Sequence, residues 1–65
     1  MEAEVLMSTK EAAAFLGVQP GTLNWWRHAG TGPRWGRLGA RVVKYKRSDL
    51  VRFVEAGFED GKASA

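Results

Sequence analysis

Signals for helix boundaries follow one another so closely between Ser8 and Gly30 that two short helices joined by a tight turn are the simplest chain path to satisfy them. Ser8-Thr9-Lys10-Glu11 is a capping box. Its Ser8 hydroxyl can accept the amide of Glu11, while the Glu11 carboxylate returns to the amide of Ser8. Leu6 or Met7 lies just outside it, placed for a hydrophobic staple. Ala12, Ala13 and Leu16 fall on one face of the helix that follows, with Phe15 at its edge, and Gly17 suits a left-handed stop. Val18-Gln19 is the whole link to Pro20, which fits a first helical position because its missing amide costs nothing there. In the second helix Leu23 and Trp26 share a face near Ala29 and Gly30; Gly21, Trp25 and His28 lie opposite, with Asn24 on the flank.

Two helices so joined make a helix-turn-helix. After it, Thr31-Gly32-Pro33 is a loop, and Trp35–Leu38 and Arg41–Tyr45 read as two short strands. Gly39-Ala40 between them suits a two-residue hairpin of type II′. Arg41, Val43 and Tyr45 share one face of the second strand, and Val42, Lys44 and Lys46 the other. An isolated hairpin is unstable in water, so Val43 and Tyr45 are expected to pack inward on the helices. Leu50, Phe53 and Val54 mark a third helix over roughly residues 47–56, ended by Gly57, with Ser48 and Asp49 as its capping and first-turn residues. The expected core is Leu16, Leu23, Trp26, Leu38, Val43, Tyr45, Leu50 and Phe53. The expected division is an N-terminal arm over residues 1–7, a domain over 8–57 and a fraying tail over 58–65.

A chain of 65 residues holds one domain at most, and such a domain buries only roughly 60% of the surface its unfolded form exposes. Little room remains for a deep pocket with a supporting shell, which argues against an enzyme. There is no cysteine, and a single histidine, His28, cannot hold a metal alone, so neither metal nor cofactor is expected. No paired carboxylates, Ser-His-Asp set or phosphate loop occurs; Gly30-Thr31-Gly32 is a helix stop and loop. No apolar run approaches the ~20 residues that span a bilayer, and the acidic start Met1-Glu2-Ala3-Glu4 is unlike a signal peptide. The expected setting is therefore cytoplasmic, with no membrane partner. Between Arg27 and Arg52 eight cations face one carboxylate, Asp49, for a net +7, whereas the remainder carries −4. A basic middle between acidic flanks is the footprint of a polyanion-binding surface.

The order helix-turn-helix, hairpin, helix is that of a winged helix, an α+β fold of order α-α-β-β-α. The residues resemble the excisionase-like, MerR-related DNA-binding domains. The traits that carry the resemblance are Thr9 to Ala13, Leu16 to Val18, Pro20 to Trp26, Gly32-Pro33 and Tyr45 to Leu50. That family includes phage and mobile-element excisionases, AlpA-type regulators and the DNA-binding heads of MerR activators. The resemblance implies double-stranded DNA as partner, with the second helix in the major groove and the wing in the adjacent minor groove or on the backbone. It implies a bacterial or phage-encoded, nucleoid-associated protein. The chain as given continues into neither a long dimerising helix nor an effector domain, so no small-molecule effector is expected. The expected role is an excisionase, or recombination directionality factor, that bends attachment-site DNA for an integrase, with further copies of itself along the duplex. A small transcriptional regulator of a mobile element is the alternative on the same surface, and a protein-interaction module the alternative of another class. Gln19 and Gly21 stand where the family commonly carries hydroxyl and basic residues, and Trp25 where it often has a polar one.

Gly21, Thr22, Asn24, Trp25, Arg27 and His28 are the candidate contacts of the second helix. Asn pairs with adenine and Arg with guanine through two hydrogen bonds each. Arg27, nearer the buried side, has two readings: a phosphate contact or an ion pair with Glu11. Trp25 has three: contact with a thymine methyl or sugar, contact with another copy, or folding over its own surface. His28 at a helix C-terminus is favoured as a cation and can also reach DNA. On the wing and its flanks the candidates are Arg34, Arg37, Arg41, Lys44, Lys46 and Arg47. Arg41, beside the turn, is suited to a narrow minor groove of negative potential. Lys46 and Arg47 open the third helix, where cations oppose the macrodipole unless phosphates lie near.

Overall fold

The first helical turn is held by bonds between residues three apart in the chain. The computed structural model, which describes residues 4–59, runs β1 (Leu6–Met7), α1 (Thr9–Leu16), α2 (Pro20–Ala29), β2 (Gly36–Leu38), β3 (Val42–Lys46) and α3 (Arg47–Gly57). The Ser8 amide donates to Glu11 Oε1 at 2.8 Å and the Glu11 amide to Ser8 Oγ at 3.0 Å, closing the capping box. α1 and α2 both end in left-handed glycines, Gly17 and Gly30, and Pro20 is the first residue of α2. Ala12 and Ala13 on α1 are fully buried, as is Leu23 on α2. Two alanines let the helix backbones approach closely, and the turn between them holds no excess chain.

The sheet is antiparallel with order β1-β3-β2, so β3 is central. β1 has no counterpart in the sequence reading, which placed Leu6 and Met7 in an arm; they pair with Lys46 and Tyr45. A two-residue strand carries no periodic signal of its own and exists through its partner. The hairpin also differs from expectation. Leu38 pairs with Val42, so the loop is Gly39-Ala40-Arg41, three residues, with Gly39 at φ +70°. In this register Leu38 and Val42 are partners on the face of the sheet turned away from the helices. Leu38, expected in the core, is accordingly 56% exposed.

The centre of the molecule is Ala12, Ala13, Leu23, Tyr45 and Leu50, drawn from α1, α2, β3 and α3. Met7, Leu16, Val18, Trp26, Trp35 and Val43 pack against it half-buried. Phe53 is half-buried too, and its ring lies 5.5 Å from that of Trp26 in a tilted pair. Gly32 crosses the Trp26 side chain so closely that a Cβ there would lie 2.8 Å from Trp26 Cβ.

α3 begins differently from its sequence signals. Ser48 does not cap it: the N-cap is Lys46, with no side-chain cap bond. Instead Glu4 reaches across from the arm, where its carboxylate accepts the Ser48 hydroxyl at 2.8 Å and the Ser48 amide at 3.3 Å. The Arg47 amide donates to the Val5 carbonyl at 2.9 Å. Distant residues thus supply what the helix start lacks locally. Gly57 is the last helical residue rather than a left-handed stop, and Phe58 after it is extended and exposed. The tail expected to fray lies, from residue 60 on, outside the described residues, as do residues 1–3 of the arm. Three helices and a three-stranded antiparallel sheet make an α+β winged helix-turn-helix.

Candidate nucleic-acid interface

The 3.6-residue period of α2 sorts its side chains into two faces. Leu23 is buried and Trp26 and Arg27 are half-buried, while Gly21, Asn24, Trp25 and His28 form a continuous exposed stripe, with Thr22 half-buried at its margin. Trp25 is the largest member and 65% exposed, so its own chain covers little of it. His28 Nδ1 lies 2.8 Å from the Asn24 backbone carbonyl. A carbonyl oxygen only accepts, so Nδ1 carries the proton and Nε2 is the nitrogen left for other partners.

Arg27 does not join that stripe, nor does it pair with Glu11, whose carboxylate is taken by the nearby Ser8 amide. Its Nη1 donates to the Tyr45 hydroxyl at 2.8 Å and to Thr9 Oγ1 at 3.4 Å, and its Nη2 donates to Asn24 Oδ1. Among the described residues the ion pair is elsewhere, between Arg52 and Asp49 at 2.8 Å on α3. The guanidinium of Arg27 is therefore held by neutral oxygens from α1, α2 and β3. It also stands 5.7 Å from the centre of the Trp35 ring, and Arg37 stands 5.1 Å from the same ring. Cations within about 6 Å of an indole are attracted to its face. One indole thus joins the C-terminal half of α2 to the first strand of the wing. Sequence reasoning assigned Trp35 no role; its place between Arg34 and Arg37 is the signal that was there to read.

Arg34, Arg37, Lys44 and Lys46 border a shallow trough of about 290 Å³ whose lining also includes Leu6 and Asp49. The structure brings these four candidate cations together. Arg41 is exposed in the hairpin loop at the far end of the wing. Arg47 stands apart from the wing group, its guanidinium 6.0 Å from the ring of Phe15 on α1.

Two carboxylates sit at the borders of this basic region. The Ser48 hydroxyl, then the Ser48 amide, hold the Glu4 carboxyl below its ordinary range, with smaller help from the Val5 amide and the charge of Lys46. The Ser8 amide, then its hydroxyl, do the same for Glu11, and Lys44 adds a smaller charge effect. Both acids are thereby engaged as caps. Among the described residues no group of three or more His, Cys, Asp or Glu lies together to hold a metal ion. No helix among them is long and apolar enough to cross a membrane.

Compared with known protein families, residues 6–57 match one described as a helix-turn-helix domain. No curated protein and no solved structure matches the chain.

Proposed function

We propose, since this chain belongs to the helix-turn-helix domain family and is a DNA-binding protein, that it works as a small architectural factor. In this reading it is an excisionase, or recombination directionality factor, that bends attachment-site DNA so that an integrase can excise. The observation that carries the reading is an imbalance. The exposed stripe of α2 offers one amide, one imidazole and one indole, whereas the cations collect along the wing and the loop before it. A surface built this way draws most of its affinity from phosphates and from the shape of the groove, and little from a dense set of base contacts. That is the profile of a protein whose product is a deformed duplex. Asn24, Trp25 and His28 enter the major groove, with Gly21 and Thr22 passing close to the backbone. Arg34, Arg37, Arg41, Lys44 and Lys46 follow the phosphates, Arg41 at the minor groove. Arg27 and Trp35 hold the two parts at a fixed angle. Further copies along the duplex offset the weak grip of a single small module.

The test is a pair of measurements on attachment-site DNA. Fluorescence energy transfer between labelled duplex ends is expected to rise on binding, and excision by the cognate integrase is expected to increase. Binding and bending with no gain in excision, together with repression of a nearby promoter, assigns the protein to transcriptional regulation. Unchanged duplex affinity in Arg41→Ala and Lys44→Ala would favour a protein-interaction module instead.

A further inference from the structure

We infer that Asn24 excludes cytosine from the base position it faces, and that Arg27 is the positioning residue that makes it do so. The inference rests on the DNA-binding reading above and goes into its specificity. A guanidinium has donors and no acceptor. The atom of Asn24 that meets Arg27 Nη2 is therefore its carbonyl oxygen, Oδ1. With the oxygen turned to Arg27, the amide's own N–H groups are the ones left for an outside partner.

Arg27 is not free to release that oxygen. Its other terminal nitrogen is bonded to Tyr45, which is fully buried, and to Thr9 at the start of α1. Its guanidinium carbon also stands over the Trp35 ring, 5.7 Å from the ring centre. The Asn24 amide is thus tied through one guanidinium to α1, to β3 and to the loop ahead of the wing. The main-chain carbonyl of Asn24 is occupied as well, by the Nδ1–H of His28. What Asn24 presents outward is a donor.

In the major groove both purines offer the N7 acceptor, guanine adds O6 and thymine offers O4, whereas cytosine offers only the N4 donor. An unrestrained asparagine turns its amide end for end and serves either kind of edge. One held by Arg27 leaves cytosine's amino group and its own facing each other, both desolvated and unpaired.

Selection of bound duplexes from a randomised pool, by the wild type and by Asn24→Ala, locates the position whose preference depends on Asn24. There the wild type is expected to bind cytosine about tenfold more weakly than its best base. Asn24→Asp keeps a partner for Arg27 but presents only acceptors, and is expected to turn the preference towards cytosine. Arg27→Met removes the donors and is expected to lift the discrimination at this position well beyond any change in base preference elsewhere. A purely structural role for Arg27 would weaken all positions alike. Where Arg27→Met does not fold, as read from its melting curve, Asn24→Asp decides alone, since its site is exposed. Cytosine accepted by the wild type, no position dependent on Asn24, or an unchanged base order in Asn24→Asp each overturns the inference. A wild type that retains no duplex from the pool removes the DNA-binding reading itself, and this inference with it.

Discussion

Gly32 and Gly21 are the same residue type in opposite situations. Gly32 has φ +84°, and an added Cβ would meet Trp26 at 2.8 and 2.9 Å. Gly21 has helical geometry in α2 and nothing within 4 Å of its added Cβ. Alanine at Gly32 carries both the left-handed backbone penalty and an overpacking penalty, and is expected to cost about 2–4 kcal/mol. Alanine at Gly21 removes backbone freedom from the unfolded chain and is expected to add about 0.5 kcal/mol. Denaturant unfolding of the two variants checks both signs. The Pro20 and Gly30 boundaries were legible in the sequence because each acts within a turn of itself. The role of Gly32 was not, because it depends on a ring six residues away whose direction is set only once α2 packs.

At the level of elements, the caps make stability depend on acidity. Glu4 and Glu11 both have carboxyls that are more acidic in the folded protein than in the unfolded chain. The unfolded state therefore binds protons first as pH falls, and the contribution of the caps is present above the ordinary carboxylate range and lost below it. Replacing Ser48 by Ala removes the largest influence on Glu4. The gap in melting temperature between wild type and Ser48→Ala is expected to be widest near neutral pH and to narrow as pH falls below the ordinary carboxylate range. A constant gap would mean that the Glu4 clasp does not form. The capping box of α1 was readable because Ser8 and Glu11 are three residues apart; the clasp on α3 was not, because Glu4 and Ser48 are brought together only by the pairing of β1 with β3. The hairpin tells the same story. Which residues turn inward on β3 follows from alternation, but whether Leu38 meets Arg41 or Val42 is decided by one residue of register, and that residue moved Leu38 out of the core. The basic character of the wing was visible as composition, while the separation of Arg47 from the other cations was not.

For the molecule as a whole, the margin is small. At about 0.05–0.15 kcal/mol per residue, a chain of this length has roughly 3–10 kcal/mol in total. Leu50 is fully buried and belongs to a core of five residues. Leu50→Ala is expected to cost about 2–5 kcal/mol, enough to leave a substantial unfolded fraction at room temperature by circular dichroism. Charge is the other global property. Binding to duplex DNA is expected to weaken linearly in the logarithm of salt concentration, each phosphate-contacting cation contributing about 0.9 to the slope. Arg41→Ala and Lys44→Ala should each reduce that slope by about 1, and Lys44→Ala should leave the preferred sequence the same. A slope that neither replacement alters would place both side chains away from the backbone.

The three indoles of this chain stand in three different surroundings: Trp25 largely in water, Trp26 against Phe53, and Trp35 with two guanidinium groups 5.7 and 5.1 Å from its centre. Their emission spectra should separate accordingly, with Trp25 at the red edge, where a hydrated excited state relaxes furthest. Ultraviolet-excited emission then offers a label-free optical assay. Phenylalanine at Trp25 would strip away the red component, and what remained would report on the aromatic pair and the cation-flanked ring by themselves.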